Sequence, residues 1–220
     1  MTDSKPDQLL KRDLLGEIWL TQDSGHRLVR RCTDPARWWL RPLARRLAAR
    51  EARALAALDE IVEIPGLEKW DGSELDREWL AGQPMQVARP RDRRYYRDAL
   101  RLLRRMHRGG VVHNDSAKEP NWLVLPDGSP ALIDFQVAMY FRRRGKIFRT
   151  LAREDVRHLL KHKRTYLPQA LTARQRQVLA TPALSARLWR ISGKQVYLWF
   201  TRGVLGWSDR EGADDRRPGS

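Results

Sequence analysis

The chain has 220 residues, enough for one large domain or two small ones, and its 41% hydrophobic content can build a packed core. The formal net charge of +16 points to an anionic partner, whether nucleic acid, a lipid surface or a phosphorylated substrate, unless it reflects a general arginine bias. Cys32 is the only cysteine, which excludes an internal disulfide and a cysteine-built zinc cluster and fits the cytosol.

The first residues carry no signal-peptide pattern, and no apolar run approaches the roughly 20 residues that span a bilayer. The expectation is a cytoplasmic protein, with peripheral attachment at the inner membrane face as its variant. Residues 1–12 read as a flexible N-terminus and 210–220 as a disordered tail, from their charge, Gly and Pro. Residues 13–33 read as strands: Gly16–Leu20, a turn at Asp23-Ser24-Gly25, and a return strand Arg27–Arg31. Alternation puts Arg30 and Arg31 on opposite faces, with Arg31 on the face of Val29.

Ala36 to Glu60 reads as a helix interrupted at Pro42. Its apolar positions 43, 47, 55 and 58 enclose Glu51, and a carboxylate in a buried stripe is costly unless paired. The alternative is a slightly rotated helix with Glu51 at its rim. Leu67–Trp70 and Glu74–Leu80 form the next hairpin, and Trp79-Leu80-Ala81-Gly82 reads as a strand ending in a Gly linker. A domain boundary is expected there, dividing 13–82 from 83–209. Asp92–Arg108 is a helix with Tyr96, Leu100, Leu103 and Met106 on its core face. His107 reads as a packed or surface histidine.

Three short strands follow: Val111–Val112, Trp122–Leu125 and Ala131–Phe135, the last two joined by the turn Pro126-Asp127-Gly128-Ser129. That hairpin returns Asp134 beside Asn121. The unit thereby holds Asp115, Asn121 and Asp134: an acid, an amide and a second acid. Phosphoryl transfer needs this set, one carboxylate near the attacking hydroxyl and an amide with a carboxylate holding magnesium on the phosphates. The plainer reading makes Asp115 and Asp134 turn-capping carboxylates. Beyond Phe135 the chain turns basic, through Arg142, Arg143, Arg144, Lys146, Arg149 and Arg153. Helices are expected from Asp155 to about Arg164, from Thr172 to Leu179 with Thr172 as N-cap, and from Ala183 to about Arg202. Trp189, Val196, Trp199, Phe200 and Trp207 in and beyond the last helix form either core or a membrane-surface face.

The stretch from His113 to Phe135 resembles the catalytic and metal-binding loops of the protein-kinase-like superfamily, and among its branches the small bacterial kinases of lipopolysaccharide core sugars and the RIO kinases. Asp115 matches the catalytic-loop Asp, Asn121 the metal-binding Asn, and Asp134-Phe135 the start of Asp-Phe-Gly. The loop Ser116–Pro120 is one residue longer than the family's Asp-x-x-x-x-Asn spacing, and Gln136 replaces the Gly. The resemblance implies an α+β, bilobal fold: a small strand-rich lobe with one long helix, then a reduced, mainly helical lobe. It implies ATP and Mg2+ as cofactors, with Arg31 in place of the strand Lys and Glu51 as its helix partner. By the same resemblance the backbone of Leu80 and Ala81 meets the adenine, and Lys118 neutralises charge on the moving group. His113 and Asp155 prop the catalytic loop. The Gly-rich loop and the Ala-Pro-Glu anchor have no match.

Three readings follow. The first is a kinase acting on a lipopolysaccharide-type sugar, an anionic glycan or lipid-linked acceptor held by Arg142, Arg143 and Arg144, beside an anionic membrane surface. The second is a RIO-like serine/threonine protein kinase. The third is a pseudokinase binding an anionic partner. Nucleic acid is not favoured as partner.

Overall fold

The computed structural model describes residues 7–23 and 25–180. The helix expected over 183–202, its aromatic residues and the tail lie outside the described residues.

The first lobe is a five-stranded antiparallel sheet in the order β1-β2-β3-β5-β4. Its strands are β1 (Gln8–Asp13), β2 (Gly16–Asp23), β3 (His26–Cys32), β4 (Leu67–Trp70) and β5 (Glu74–Glu78), with helix α1 (Arg41–Ala56) between β3 and β4. The expected flexible segment 1–12 thus contains an edge strand. Every residue of β1 is exposed, so no apolar alternation marks it. Backbone pairing to β2 holds it, with an ion pair from Arg12 to Glu17 at 2.6 Å. At the β1–β2 turn, Gly16 has φ 126° and a Cβ there would collide with the Cys32 carbonyl, so only glycine fits.

Pro42 opens α1 instead of interrupting the preceding segment, because its missing N–H is one of the unpaired donors of a first turn. The helix is rotated from the expected stripe. Leu43 is exposed, and the buried row is Ala44, Ala48, Glu51, Ala52 and Leu55. Small alanines on that row let the helix lie close to its neighbours. Past β5, residues 79–82 form no strand. Gly82 crosses so near residues 123 and 124 that a Cβ would stand 3.0 Å from the Leu123 side chain and 3.1 Å from the Val124 carbonyl.

The second lobe runs through β6 (Gln83–Pro84), α2 (Met85–Ala88), α3 (Arg93–Arg108), β7 (Val111–Val112), β8 (Trp122–Val124), β9 (Pro130–Leu132), β10 (Met139–Tyr140), α4 (Lys146–Tyr166) and α5 (Ala173–Ala180). The Asp92 carboxylate caps α3 by accepting from Arg94 N–H at 2.8 Å. At α5, Thr172 Oγ1 accepts from Gln175 N–H while Gln175 Oε1 accepts from Thr172 N–H, a reciprocal capping box. β8 and β9 pair antiparallel as expected but are shorter, since Asp134 at φ 64° cannot continue a strand. Helix α4 starts nine residues before the expected Asp155. Its first turn is basic and lacks a side-chain cap, so the usual start signals are missing there.

One apolar core joins Leu55, Leu58, Ile61 and Ile64 to Tyr95, Leu103, Met106, Trp122, Leu132, Phe135 and Leu159. The end of α1 is therefore rooted in the core of the second lobe. Leu55 is only 1% exposed, so Leu55→Ala should cost about 2–5 kcal/mol. Urea unfolding should show a lower midpoint with an unchanged slope; a cost under about 1 kcal/mol would mean the core closes over the gap.

Candidate active site

The chain leaves β7 into His113, which is fully buried. His113 Nδ1 accepts from Asp115 N–H at 3.2 Å, so Nε2 carries the proton and donates to the Ile133 carbonyl at 3.0 Å. The ring also packs edge-on against Phe135. His113 thus ties the backbone beside Asp115 to the backbone before Asp134. Asn114, at φ 63°, sits in the left-handed region that Asn tolerates and donates its amide to the Val137 carbonyl at 3.1 Å.

Asp155, 1% exposed on α4, accepts four hydrogen bonds from this turn and its neighbour. They come from His113 N–H (2.9 Å), Asn114 N–H (3.2 Å), Ser116 Oγ (3.0 Å) and His107 Nε2 (3.1 Å). Burial pushes its carboxyl up, but the bond from His107 and the other donors outweigh this and hold it below the ordinary carboxylate range. His107 is therefore more than packing: it donates to the residue that holds the loop.

The extra loop residue does not separate the expected pair. Asn121 Nδ2 reaches the Asp115 carbonyl at 3.0 Å and Asp115 Oδ2 at 3.1 Å. Lys118 Nζ meets the same Oδ2 at 2.9 Å, while its side chain stays half-exposed. The added length is absorbed at Ser116, whose carbonyl accepts from Trp122 Nε1 (3.0 Å) and His162 Nε2 (2.9 Å). Glu119 accepts from the Tyr166 hydroxyl at 2.6 Å. The α4 positions 155, 158, 162 and 166 all face this loop.

Asp134 follows Ile133, whose N–H donates to the Asn121 carbonyl at 2.9 Å, so the two side chains expected to hold a metal stand on adjacent backbone. Burial pushes the Asp134 carboxyl up, yet the charges of Arg77 and Arg31 prevail and hold it below the ordinary range. Its Oδ1 is buried without a hydrogen-bond donor. An orphaned carboxylate oxygen of this kind suits a divalent cation, and the Asn121 amide oxygen accepts no hydrogen bond among the described residues. Among the described residues no group of three or more His, Cys, Asp or Glu could hold a metal alone. One carboxylate and one amide fit magnesium that arrives with phosphate oxygens in its remaining positions.

Arg31 and Glu51 come together. Glu51 is fully buried, not at the helix rim, and Arg31 Nε stands 3.2 Å from Glu51 Oε2. Arg30 lies on the other face, bidentate to Asp76 at 2.8 Å. A third member, Arg77 on β5, places its Nε 3.2 Å from Glu51 Oε1. Strand parity with the fully buried Leu75 would have found it. Leu80 and Ala81 make no backbone hydrogen bond among the described residues. Arg142, Arg143 and Arg144 are exposed on the connection between β10 and α4, and none of them makes an ion pair among the described residues.

No family model matches the chain. Its fold is similar to the Rio2 kinase from Chaetomium thermophilum, with TM-score 0.59 and 18% identity over 89% of this chain and 70% of that one. The chain has a protein-kinase-like fold. A second similar structure is the Rio2 kinase–ADP/Mg2+–phosphoaspartate complex from the same organism, with TM-score 0.57 and 16% identity over 89% and 69% of the two chains.

Behind the loop, burial pushes the His158 imidazole down to about 4, helped by the Lys161 charge and opposed by Asp155. Between about 4 and the ordinary 6.5 the unfolded chain binds a proton here that the folded chain does not. Stability therefore falls as pH drops through this window. Urea midpoints should fall more steeply with acid for the wild type than for His158→Asn; parallel curves would remove His158 as a source of acid lability.

Proposed function

We propose that the protein is a magnesium-dependent kinase that transfers the γ-phosphate of ATP to a hydroxyl group. The observation that supports this most directly is the convergence of Asp115, Asn121 and Asp134 through the hydrogen bonds from Asn121 to Asp115 and from Ile133 to Asn121. In this reading Asp115 Oδ2 is fixed by Lys118 and Asn121, and Oδ1, which takes no hydrogen bond among the described residues, receives the acceptor hydroxyl. Asp115 orients that hydroxyl and takes its proton as the oxygen attacks. Lys118 sets a positive charge beside the reacting oxygen. Asn121 and Asp134 would hold the metal, which when bound neutralises phosphate oxygens. Arg31, positioned by Glu51, binds the phosphate chain, and the open backbone of Leu80 and Ala81 receives the adenine edge.

The acceptor we favour is a sugar hydroxyl of an anionic, lipopolysaccharide-type glycan or lipid-linked molecule, met in the cytoplasm at an anionic membrane surface. Only residues 136–145 separate Phe135 from α4, and β10 takes part of them, which leaves little chain to hold an extended peptide. The three exposed arginines on that connection suit phosphates or carboxylates on the acceptor. The likeness to Rio2 kinase favours the second reading, a serine/threonine protein kinase. The missing strand Lys and Gly-rich loop motivate a pseudokinase; the joined Asp115, Asn121 and Asp134 favour an active enzyme.

Labelled ATP, offered with core oligosaccharide and with generic protein substrates, decides among them. Transfer to the glycan is expected, and Asp115→Ala should slow it roughly 10²–10⁴-fold. Transfer to protein serine alone would replace the sugar by a protein acceptor. Mg-ATP should raise the melting midpoint by linkage, with the magnesium-dependent part lost in Asp134→Asn. No shift with any nucleotide at millimolar concentration would leave the pseudokinase.

A further inference from the structure

We propose that Arg77 is a second phosphate-binding residue, which closes with Arg31 as a two-arginine clamp on the nucleotide's phosphate chain. This rests on the kinase reading of the same site.

The sheet register brings the two side chains together. β3 and β5 pair antiparallel with Val29 opposite Arg77 and Arg31 opposite Leu75, so the two arginines share a face one diagonal step apart. Both are buried, at 6% and 8% exposure, and both reach the fully buried Glu51 at 3.2 Å. These contacts are ionic without being hydrogen bonds: both Nε atoms, both Glu51 carboxylate oxygens and Asp134 Oδ1 are buried with no hydrogen-bond partner. Neither guanidinium makes any hydrogen bond among the described residues, and of the five N–H donors that each carries the Nε donor is the one buried without an acceptor. Buried donors without acceptors are costly, and the cost is relieved by whatever brings acceptors.

The missing acceptor is an anion with several oxygens. Arg31 with Glu51 and Asp134 would sum to one negative charge, which repels phosphate; Arg77 brings the cluster to zero. A planar guanidinium takes two phosphate oxygens at once, and two of them can grip a diphosphate unit. The sequence offers no Gly-rich loop to supply backbone donors to those oxygens, so side-chain donors have that task here.

The competing account is structural: Arg77 only balances buried negative charge. Binding of adenosine, ADP and ATP to the full chain, measured by calorimetry with magnesium, separates the two. Arg77→Met should weaken ATP and ADP about 10–100-fold, the worth of one or two charge-assisted hydrogen bonds, and leave adenosine unchanged. Arg77→Lys keeps the charge opposite Glu51 and should fold even if Arg77→Met does not. It should still lose several-fold in ATP against adenosine, because a point charge cannot fork two oxygens. Arg30→Met, on the opposite face, should change the binding of none of the three. An unmoved ATP-to-adenosine ratio in Arg77→Lys, or equal loss of both ligands in Arg77→Met, would return Arg77 to charge balancing and leave the kinase reading in place. A wild-type protein that binds none of the three would take down both.

Discussion

A carboxylate with no exposure at all, on the third turn of a helix, is the constraint on which this protein is built. Glu51 touches arginines from two different strands, so α1 can dock on the sheet in only one rotation and one register. Removing either partner would leave an uncompensated buried charge, at a cost typically of about 3–5 kcal/mol. The preceding residue extends the reach of that turn. Arg50 donates to the carbonyls of Val137 and Ala138, just past Asp134 and Phe135. Two successive side chains thus join the first-lobe sheet to the segment that carries the candidate metal ligand, and Leu55, one turn on, enters the second-lobe core.

The loop that carries Asp115 is held by the opposite kind of chemistry. Asp155 has both oxygens filled by hydrogen-bond donors, two of them backbone N–H groups of the loop itself. Such a carboxylate fixes backbone, not just side chains, and it explains how a loop with one extra residue keeps Asn121 on Asp115. The surplus length is taken up where Ser116 is fully buried against α4 and Trp122, away from the Asp115 carboxylate.

Much of this was legible because it follows from local rules. Alternation placed Arg31, not Arg30, on the buried face, and the Asn121–Asp134 approach follows from a hairpin with a Pro-Asp-Gly-Ser turn. The Thr172 cap was readable for the same reason. What escaped has no local signature. β1 is exposed throughout and exists through pairing alone. Helix α4 begins with basic residues at its positive end, so its start is imposed by packing, and Asp155 ended up in its middle. Arg77 was hidden by its type: an arginine between Asp76 and Glu78 reads as part of a solvated charge run. Only the register with β3 shows that it faces inward.

The two halves of the site therefore differ in how much is left for a ligand to satisfy. Around Asp155 and Ser116 the strong donors and acceptors meet within the fold, so little is left there for a ligand to satisfy. Around Glu51 the charges balance, yet Arg31, Arg77, Glu51 and Asp134 each keep a buried polar atom without a hydrogen bond. Each such group costs roughly 1–3 kcal/mol relative to a satisfied one. On the proposed reading that cost would be returned when a phosphate chain with its metal supplied acceptors to the arginines and a cation to Asp134. On the proposed reading such a site would hold its acceptor-side geometry rigidly and keep its unspent polar capacity for the phosphates, which is the division of labour that in-line transfer from a bound nucleotide requires.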